Sequence, residues 1–447
     1  MTQLRFGSNH WESVLEVLKD ESGRERMAFL LCGRNGHGTD MRLLCHSVIP
    51  VDATAYQLSR ADSLAVDPIF VNGVLNEAER GGWSVVMVHN HPGARSPDFS
   101  SADDYGESRL FPLIAGRMPD RVHGAMVVAS DKAAFRTWRM GADRPERGRV
   151  VVLGKTLDSA EPDAGPSLAR EALFIRKDIR QALAGVRVGI VGLGGTGSLV
   201  AQMLSHLRVG EVVLVDHDSM EASNLSRVVI SRDSDVGKPK VSVAARGFRT
   251  ASPTTRVYQF ADSVFSREAI VALLSSDFIF ACTDTHSSRL LLNQIAWQYL
   301  VPIVDIGALV RLDGAQASFV GGAVRVVMPG HMCLVCDQQI EPARITWELK
   351  SKDQKQLDRT FGYVPGFDAP EPAVISVNSV VAGIAVSVLL NFIGPFMPAV
   401  QGQMLVDLVR PTLVRTRPAN AHRCEVCRDN GLIGSGELGA LPSIPNS

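Results

Sequence analysis

His89 and His91 lie one residue apart at the end of an apolar run, 85–88, and are followed at once by Pro92. On a strand, residues i and i+2 point to the same face, so the two imidazoles can share one metal ion. Pro92 removes a ladder donor and ends the strand. A loop, 93–99, leads to Ser100-Ser101-Ala102-Asp103, which opens a helix with Ser100 suited to the N-cap and Asp103 in the first turn. That loop can fold Asp103 back onto the histidines as a third ligand. Three protein ligands plus a water make a catalytic zinc, whereas a closed structural site takes four. Such a zinc lowers the pKa of its water to about 7 and supplies hydroxide at neutral pH.

A second group of residues suits phosphate chemistry. An apolar run, 186–191, precedes Gly192-Leu193-Gly194-Gly195-Thr196-Gly197, an amphipathic helical stretch 198–207, and a second run, 211–215, that ends in Asp216. Glycines at this turn let backbone amides approach phosphates at a helix N-terminus, and Asp216 can bind a ribose. Those features alone default to a NAD-dependent dehydrogenase. Asn224-Leu225-Ser226-Arg227, Gly237-Lys238-Pro239-Lys240 and Cys282-Thr283-Asp284 follow in order. A dehydrogenase has no need of Arg227, Lys240 and Asp284 together.

A third group is made of thiols. Four of the seven cysteines form two Cys-x-x-Cys pairs, Cys333/Cys336 and Cys424/Cys427. In a chain that opens without the apolar core of a signal peptide, such pairs argue for metal before disulfide. Together they would make a tetrahedral four-cysteine structural zinc. A reducing, cytoplasmic setting is expected.

The elements that must position these groups need more than one domain. At 447 residues the chain is long enough for two or three. Its 45% apolar and 21% charged residues are those of a globular protein, and a net charge of −1 offers no whole-chain attraction to nucleic acid or a membrane surface. Residues 1–142 alternate strand-like runs (27–32, 83–89, 124–129) with helical patterns (11–19, 102–110), a mixed α/β unit. Residues 143–166 read as a linker with room for a short strand. Residues 167–432 repeat strand, glycine turn and helix, the pattern of a parallel doubly wound sheet. The Gly/Ser/Pro-rich residues 433–447 are expected to be disordered. The apolar stretch 374–393 is interrupted by Ser376, Asn378, Ser379, Ser387 and Asn391, and reads as a buried core helix rather than a membrane span.

Two resemblances add to these readings. His89-x-His91-Pro92, seven residues, then Ser100-x-x-Asp103 resembles the JAMM motif of the JAB/MPN metalloproteases, which implies a cytidine-deaminase-like mixed α/β fold. The resemblance implies that Glu25, just before the apolar strand, is the general acid/base, and that Ser100 donates a hydrogen bond to the oxyanion. Glu21 is the competitor for the first role, Asp104 misses the ligand spacing by one, and Ala28 stands where the family has a glycine. The series from Gly192 to Asp284 resembles the ThiF/MoeB and ubiquitin-activating superfamily, which adenylates the C-terminal glycine of a ubiquitin-like or sulfur-carrier protein and carries a structural zinc on four cysteines. It implies ATP with Mg²⁺: Asp216 on the ribose, Asn224, Arg227 and Lys240 on the phosphates, Asp284 on the metal, and Arg170 (or Arg176) reaching the partner subunit's site of a homodimer.

Joined, the resemblances imply a bifunctional enzyme of a bacterial ubiquitin-like pathway. One site would adenylate a carrier's C-terminal glycine, and the other would cut after it as an (iso)peptidase, with a conjugating enzyme or other thiol acceptor downstream. The same chemistry fits sulfur-carrier activation for thiocarboxylate-dependent biosynthesis, and a binding scaffold with dead sites is the alternative of another class. Activating enzymes that form a thioester usually carry a cysteine after the first zinc pair, but residues 337–372 contain none. The acyl-adenylate is therefore expected to pass directly to another protein's thiol. Non-reducing gels after reaction with ATP and carrier test this: a thiol-sensitive adduct on this chain, lost on replacing one of its cysteines, would overturn it.

Overall fold

The computed structural model describes all residues except 37–39, 62, 131, 143, 155–176, 315, 361–373, 399, 401, 417–423, 429–430 and 443–447. The chain divides into two units. One comprises Met1–Leu153 with Trp297–Leu300 and Glu425–Ala440, the other Gly154–Ala296, Val301–Cys424 and Leu441–Ser447.

The first unit runs β1 (Gln3–Phe6), α1 (Ser8–Leu18), β2 (Met27–Asn35), β3 (Arg42–Pro50), β4 (Tyr56–Ser59), β5 (Leu64–Val66), α2 (Pro68–Gly81), β6 (Ser84–Asn90), α3 (Ser101–Arg117), β7 (His123–Ala129), β8 (Lys132–Trp138) and β9 (Glu146–Val152). Seven strands in the order β1-β3-β2-β6-β7-β8-β9 close into a barrel, because β1 pairs in parallel with both β3 and β9. Alternation along β6 sends Val86 and Val88 into one core cluster, shared with Leu30, Met126 and Trp11 of α1. It sends Val85 and Met87 into the other, shared with Phe29 and with Phe111 and Ile114 of α3. Two residues past Met87, His89 keeps the face of α3.

The second unit runs α4 (Lys177–Gly185), β10 (Arg187–Val191), α5 (Gly195–Leu207), β11 (Glu211–Val215), α6 (Lys240–Ala251), β12 (Arg256–Phe260), α7 (Arg267–Leu274), β13 (Phe278–Ala281), α8 (His286–Gln298), β14 (Ile303–Asp313), β15 (Gln316–Val327), α9 (Pro342–Glu348), α10 (Lys352–Thr360), α11 (Ile375–Ile393), β16 (Gln403–Asp407) and β17 (Thr412–Thr416). Its sheet has the order β12-β11-β10-β13-β14-β15-β16-β17. The first five strands are parallel and the last three pairings antiparallel. Strand order reverses between β10 and β13, the place where doubly wound folds open a binding crevice.

Several sequence expectations change here. The short strand for which the linker from residue 143 had room forms as β9, which starts at Glu146 and pairs with β1 and β8 while Val151 and Leu153 bury their apolar surface. Residues 155–166 lie outside the described part. The cysteine-free segment 337–372 holds α9 and α10 as far as Thr360, and its residues from 361 on lie outside the described part. The core helix forms as α11. By length and composition it could cross a membrane, but it lays Val377, Val381, Ala385 and Leu389 into the unit beside α5, β14 and β15.

The segment after 432, expected to be disordered, is ordered through Pro442. Ile433 is 3% exposed, and its carbonyl accepts Nδ1–H of His46 at 2.6 Å. Gly33 N–H donates to the Gly434 carbonyl, and Glu437 N–H to that of Arg34. Low local hydrophobicity concealed a segment held mainly by backbone hydrogen bonds. Residues 443–447 are outside the described part. Ile433→Ala should cost about 2–5 kcal/mol in urea unfolding and expose the C-terminal segment to limited proteolysis; a wild-type midpoint and digestion pattern would show that this seat contributes nothing.

Candidate functional sites

β6 holds the first site in register. It pairs antiparallel with β2, Met27 opposite His89, and parallel with β7, His89 opposite Val127. The Nε2 atoms of His89 and His91 are 3.1 Å apart. Oδ1 of Asp103 lies 3.0 Å from His89 Nε2, and Oδ2 lies 3.4 Å from His91 Nε2. Ligands of a tetrahedral zinc sit about 3.3 Å from one another when each is about 2.0–2.1 Å from the metal. Two ring nitrogens facing each other at hydrogen-bond distance need a shared cation or proton between them. The donors, two imidazoles and a carboxylate, are those of an open zinc site, and the residues fit the ion.

Supporting groups orient these three. The Asp103 carboxylate accepts Ser100 N–H at 2.6 Å and Ser100 Oγ–H at 2.8 Å, and Asp103 N–H returns to Ser100 Oγ in a capping box. Ser100 therefore caps α3 and steers Asp103; its hydroxyl is not aimed outward as the oxyanion donor that the resemblance implied. Burial raises the Asp103 pKa, but the His89 ring and the Ser100 donors outweigh it and hold the carboxylate well below its ordinary range. Burial also pushes the His91 pKa down, and the neighbouring His89 ring adds to it, so the imidazole is favoured neutral, the form that binds metal.

The rival residues separate in space. Glu25 is 7% exposed, with Oε1 4.0 Å from His91 Nε2, whereas Glu21 is on an exposed turn. Asn90, between the histidines, accepts Arg26 N–H on its Oδ1 at 2.6 Å and ties the Glu25 segment to the end of β6. Asp104 turns away from the histidines to Nη1 of Arg136 at 2.6 Å. Arg136 also meets the buried Glu107, whose pKa burial raises while Arg136 and Trp138 partly offset it.

The second site gathers at the carboxyl ends of β10, β11 and β13. Gly192 has φ +86°, and a Cβ there would stand 2.6 Å from the Cys282 carbonyl oxygen. A Cβ on Gly197 would overlap the Gly192 oxygen, so only glycine closes this loop onto α5. Gly194 is the N-cap of α5, and nothing lies within 4 Å of the side where its Cβ would be. Asp216 accepts the N–H groups of Leu193 at 2.6 Å and Asp218 at 2.8 Å, joining the glycine loop to the β11 end. Asn224 caps its own turn, accepting Glu221 N–H. Arg227 passes beside Gly195 and donates to the Ser223 carbonyl. Lys240 opens α6 with its ammonium 2.6 Å from Asp218, whose pKa stays low because Lys240 outweighs burial. Asp284 is exposed just beyond β13. Arg170 and Arg176 lie outside the described residues.

The thiols of Cys333, Cys336, Cys424 and Cys427 lie within 4.8 Å of one another, with Cys333 and Cys424 at 3.7 Å. Thiolates about 2.3 Å from a tetrahedral zinc stand about 3.8 Å apart, so this set fits a structural ion. Sequence reasoning missed Asn293, which donates to Cys333 Sγ at 3.5 Å and accepts Leu334 N–H at 2.8 Å. It also missed Asn378 of α11, whose Nδ2 occupies the place a Cβ on Gly195 would take. Asp305 was missed as well: fully buried, it is clamped by Arg289 at 3.1 Å and Arg325 at 3.0 Å. Each lies far in sequence from the group it serves. Burial, and then the Asp305 charge, push the Cys282 thiol far above its ordinary pKa, which suits a core residue and not a nucleophile.

A glycine loop where the strand order of a parallel sheet reverses, tied to Asp216 and with Arg227 beside it, is the arrangement of a doubly wound α/β unit. Residues 168–428 match the ThiF family, and the chain belongs to it. It is 34% identical over 145 residues to the SAMP-activating enzyme E1 of Haloferax volcanii, covering 32% of this chain and 53% of that one. Over 142 residues it is 34% identical to the molybdopterin-synthase adenylyltransferase of Escherichia coli, covering 32% and 57%. Over 251 residues it is 29% identical to the sulfur carrier protein adenylyltransferase of Thermus thermophilus, covering 56% and 85%. The chain thus spans little more than half the length of the first two relatives. The solved structure of E. coli MccB with ATP aligns with a TM-score of 0.46 at 19% identity, over 59% of this chain and 75% of that one.

Metal content measured on purified protein separates Asp103 from Asp104. Asp103→Asn should lose about one zinc per chain, while Asp104→Asn, which leaves Arg136 its contacts to Glu107 and Phe99, should still purify with it; equal loss in both would assign the third ligand wrongly.

Proposed function

We propose that the second unit adenylates the C-terminal carboxylate of a small carrier protein, and that the first unit cuts the amide bond after that same carboxyl terminus. The observation that supports the first half is the glycine loop tied to Asp216 at the end of β11, with Arg227 beside Gly195 and Lys240 held at Asp218. ATP would lie with its phosphates at the α5 N-terminus, where backbone N–H groups and the helix dipole favour anions. Arg227 and Lys240 would counter the charge that builds on the α-phosphate as the carboxylate attacks it and pyrophosphate leaves. Asp284 would hold Mg²⁺ with the phosphates, and Asp216 would take the ribose hydroxyls while keeping the glycine loop in place. A homodimer with Arg170 reaching the other subunit belongs to the proposal.

The convergence of His89, His91 and Asp103 with Glu25 nearby carries the second half. A zinc held by those three would supply hydroxide near neutral pH. Glu25, screened from water beside His91, would take the proton from the attacking water and pass it to the leaving amine. The capping box would keep Asp103 ionised and aimed throughout. This is the JAB/MPN type of chemistry.

Among carriers we favour a sulfur carrier, with a thiocarboxylate as the eventual product, because two of the relatives are named for sulfur carriers or molybdopterin synthase. Transfer to a conjugating enzyme is the second reading, favoured by the SAMP-activating relative. ATP–pyrophosphate exchange with a glycine-ending carrier tests activation, and hydrolysis of a C-terminally extended carrier tests cleavage. Asp284→Ala should cut exchange by roughly 100-fold or more and spare cleavage, and Glu25→Gln should do the reverse. Exchange that survives Asp284→Ala, or cleavage that survives Glu25→Gln, removes the corresponding half.

A further inference from the structure

Arg136 is placed on β8, outside every motif, yet its side chain is only 10% exposed and meets Phe99, Asp104 and Glu107, which flank Asp103. Nη1 lies 2.6 Å from Asp104 and Nε 2.8 Å from Glu107, on the first two turns of α3. Its plane covers the ring of Phe99, 3.8 Å from the centroid, in the loop just before Ser100. Glu107 also accepts Trp138 Nε1–H at 2.8 Å, and Trp138 stacks on Phe111, one turn further along α3, at 5.6 Å and 9°. Phe99, Asp104, Glu107 and Phe111 are thus gripped from β8 on both sides of the residues that form the capping box.

We propose that Arg136 is a positioning residue for the zinc site: it sets the N-terminus of α3 against the end of β6, and so sets Asp103 against His89 and His91. This rests on the zinc reading given above. A planar guanidinium is suited to the task, since it makes directional hydrogen bonds to two carboxylates and stacks on a ring at once. Lysine would keep the charge and lose that geometry. Removing the guanidinium alone would also strand the buried Glu107 charge, which would unsettle the fold for reasons unrelated to zinc.

Two variants of the full chain avoid that ambiguity: Arg136→Lys, and Arg136→Met combined with Glu107→Gln, which removes both charges and leaves Trp138 an acceptor. Cobalt(II) titration reads the two metal sites separately, because a four-thiolate site shows thiolate charge-transfer bands and the nitrogen–oxygen site shows d–d bands alone. Zinc competition against a chromogenic chelator gives the affinities. Both variants should bind metal at the nitrogen–oxygen site about 10–100-fold more weakly, with the thiolate bands unchanged. Wild-type affinity in both, with nothing but a lower melting temperature, would make Arg136 a strut of the fold and overturn the proposal. Should His89→Ala titrate like the wild type, the zinc reading fails and takes this inference with it.

Discussion

The register of β6 is the constraint on which the first unit depends. The strand is buried on both faces, with Val86 and Val88 on one and Val85 and Met87 on the other. Burying each such side chain contributes about 1.5–3 kcal/mol, so a slip by one residue against β2 and β7 would exchange two cores at once. The same slip would turn His89 and His91 away from α3. The convergence of His89, His91 and Asp103 therefore rests on an apolar run that starts before the histidines. The end of β6 at Asn90 is fixed again by Arg26, which brings Glu25 with it. The cluster of His89, His91, Asp103 and Glu25 is thus built from backbone pairing outward.

The second unit also shapes its site through the backbone. Parallel strands leave their carboxyl ends on one edge, and the reversal between β10 and β13 opens that edge. The close approach of Gly192 to the Cys282 carbonyl and of Gly197 to Gly192 shapes the loop before any ligand arrives. Asp216 adds two backbone donors to that shape. Preorganised donors and cations need little rearrangement when charge develops on a phosphate, which is where such a site gains its rate. The Arg289–Asp305–Arg325 clamp is centred on a fully buried carboxylate and joins α8, β14 and β15. Removing one partner would leave charge unpaired, which ties the geometry of the β13–α8 turn to the sheet.

Much of both sites was legible because short-range rules apply to them. A two-residue spacing on a strand, a capping Ser with an acid in the first turn, and a glycine turn between strand and helix are all local. The paired cysteines were legible for the same reason, although the two pairs lie far apart along the chain. What misled was also local. Glycines, prolines and charges around the short apolar run 150–153 suggested a linker with room for no more than a short strand, and the glycines and serines after 432 suggested disorder, because local composition does not show which backbone groups find partners. β9 is held by pairing with β1 and β8, and 433–440 by hydrogen bonds from β2, His46 and Gln298.

The sequence by itself determined the kinds of chemistry present: which residues can bind a metal, which can face phosphates, and which elements carry them. Those follow from residue type and period, which are properties of neighbours along the chain. Only the tertiary structure decided between competitors of like type. Glu25 is beside His91 while Glu21 is in solvent, and Asp104 is taken by Arg136 while Asp103 meets the histidines. The supporting groups Arg136, Asn293 and Asn378 also emerged only in three dimensions. They act across elements distant in sequence, where no spacing rule reaches, and their partners are set by packing and by the need of every buried polar group for a hydrogen bond.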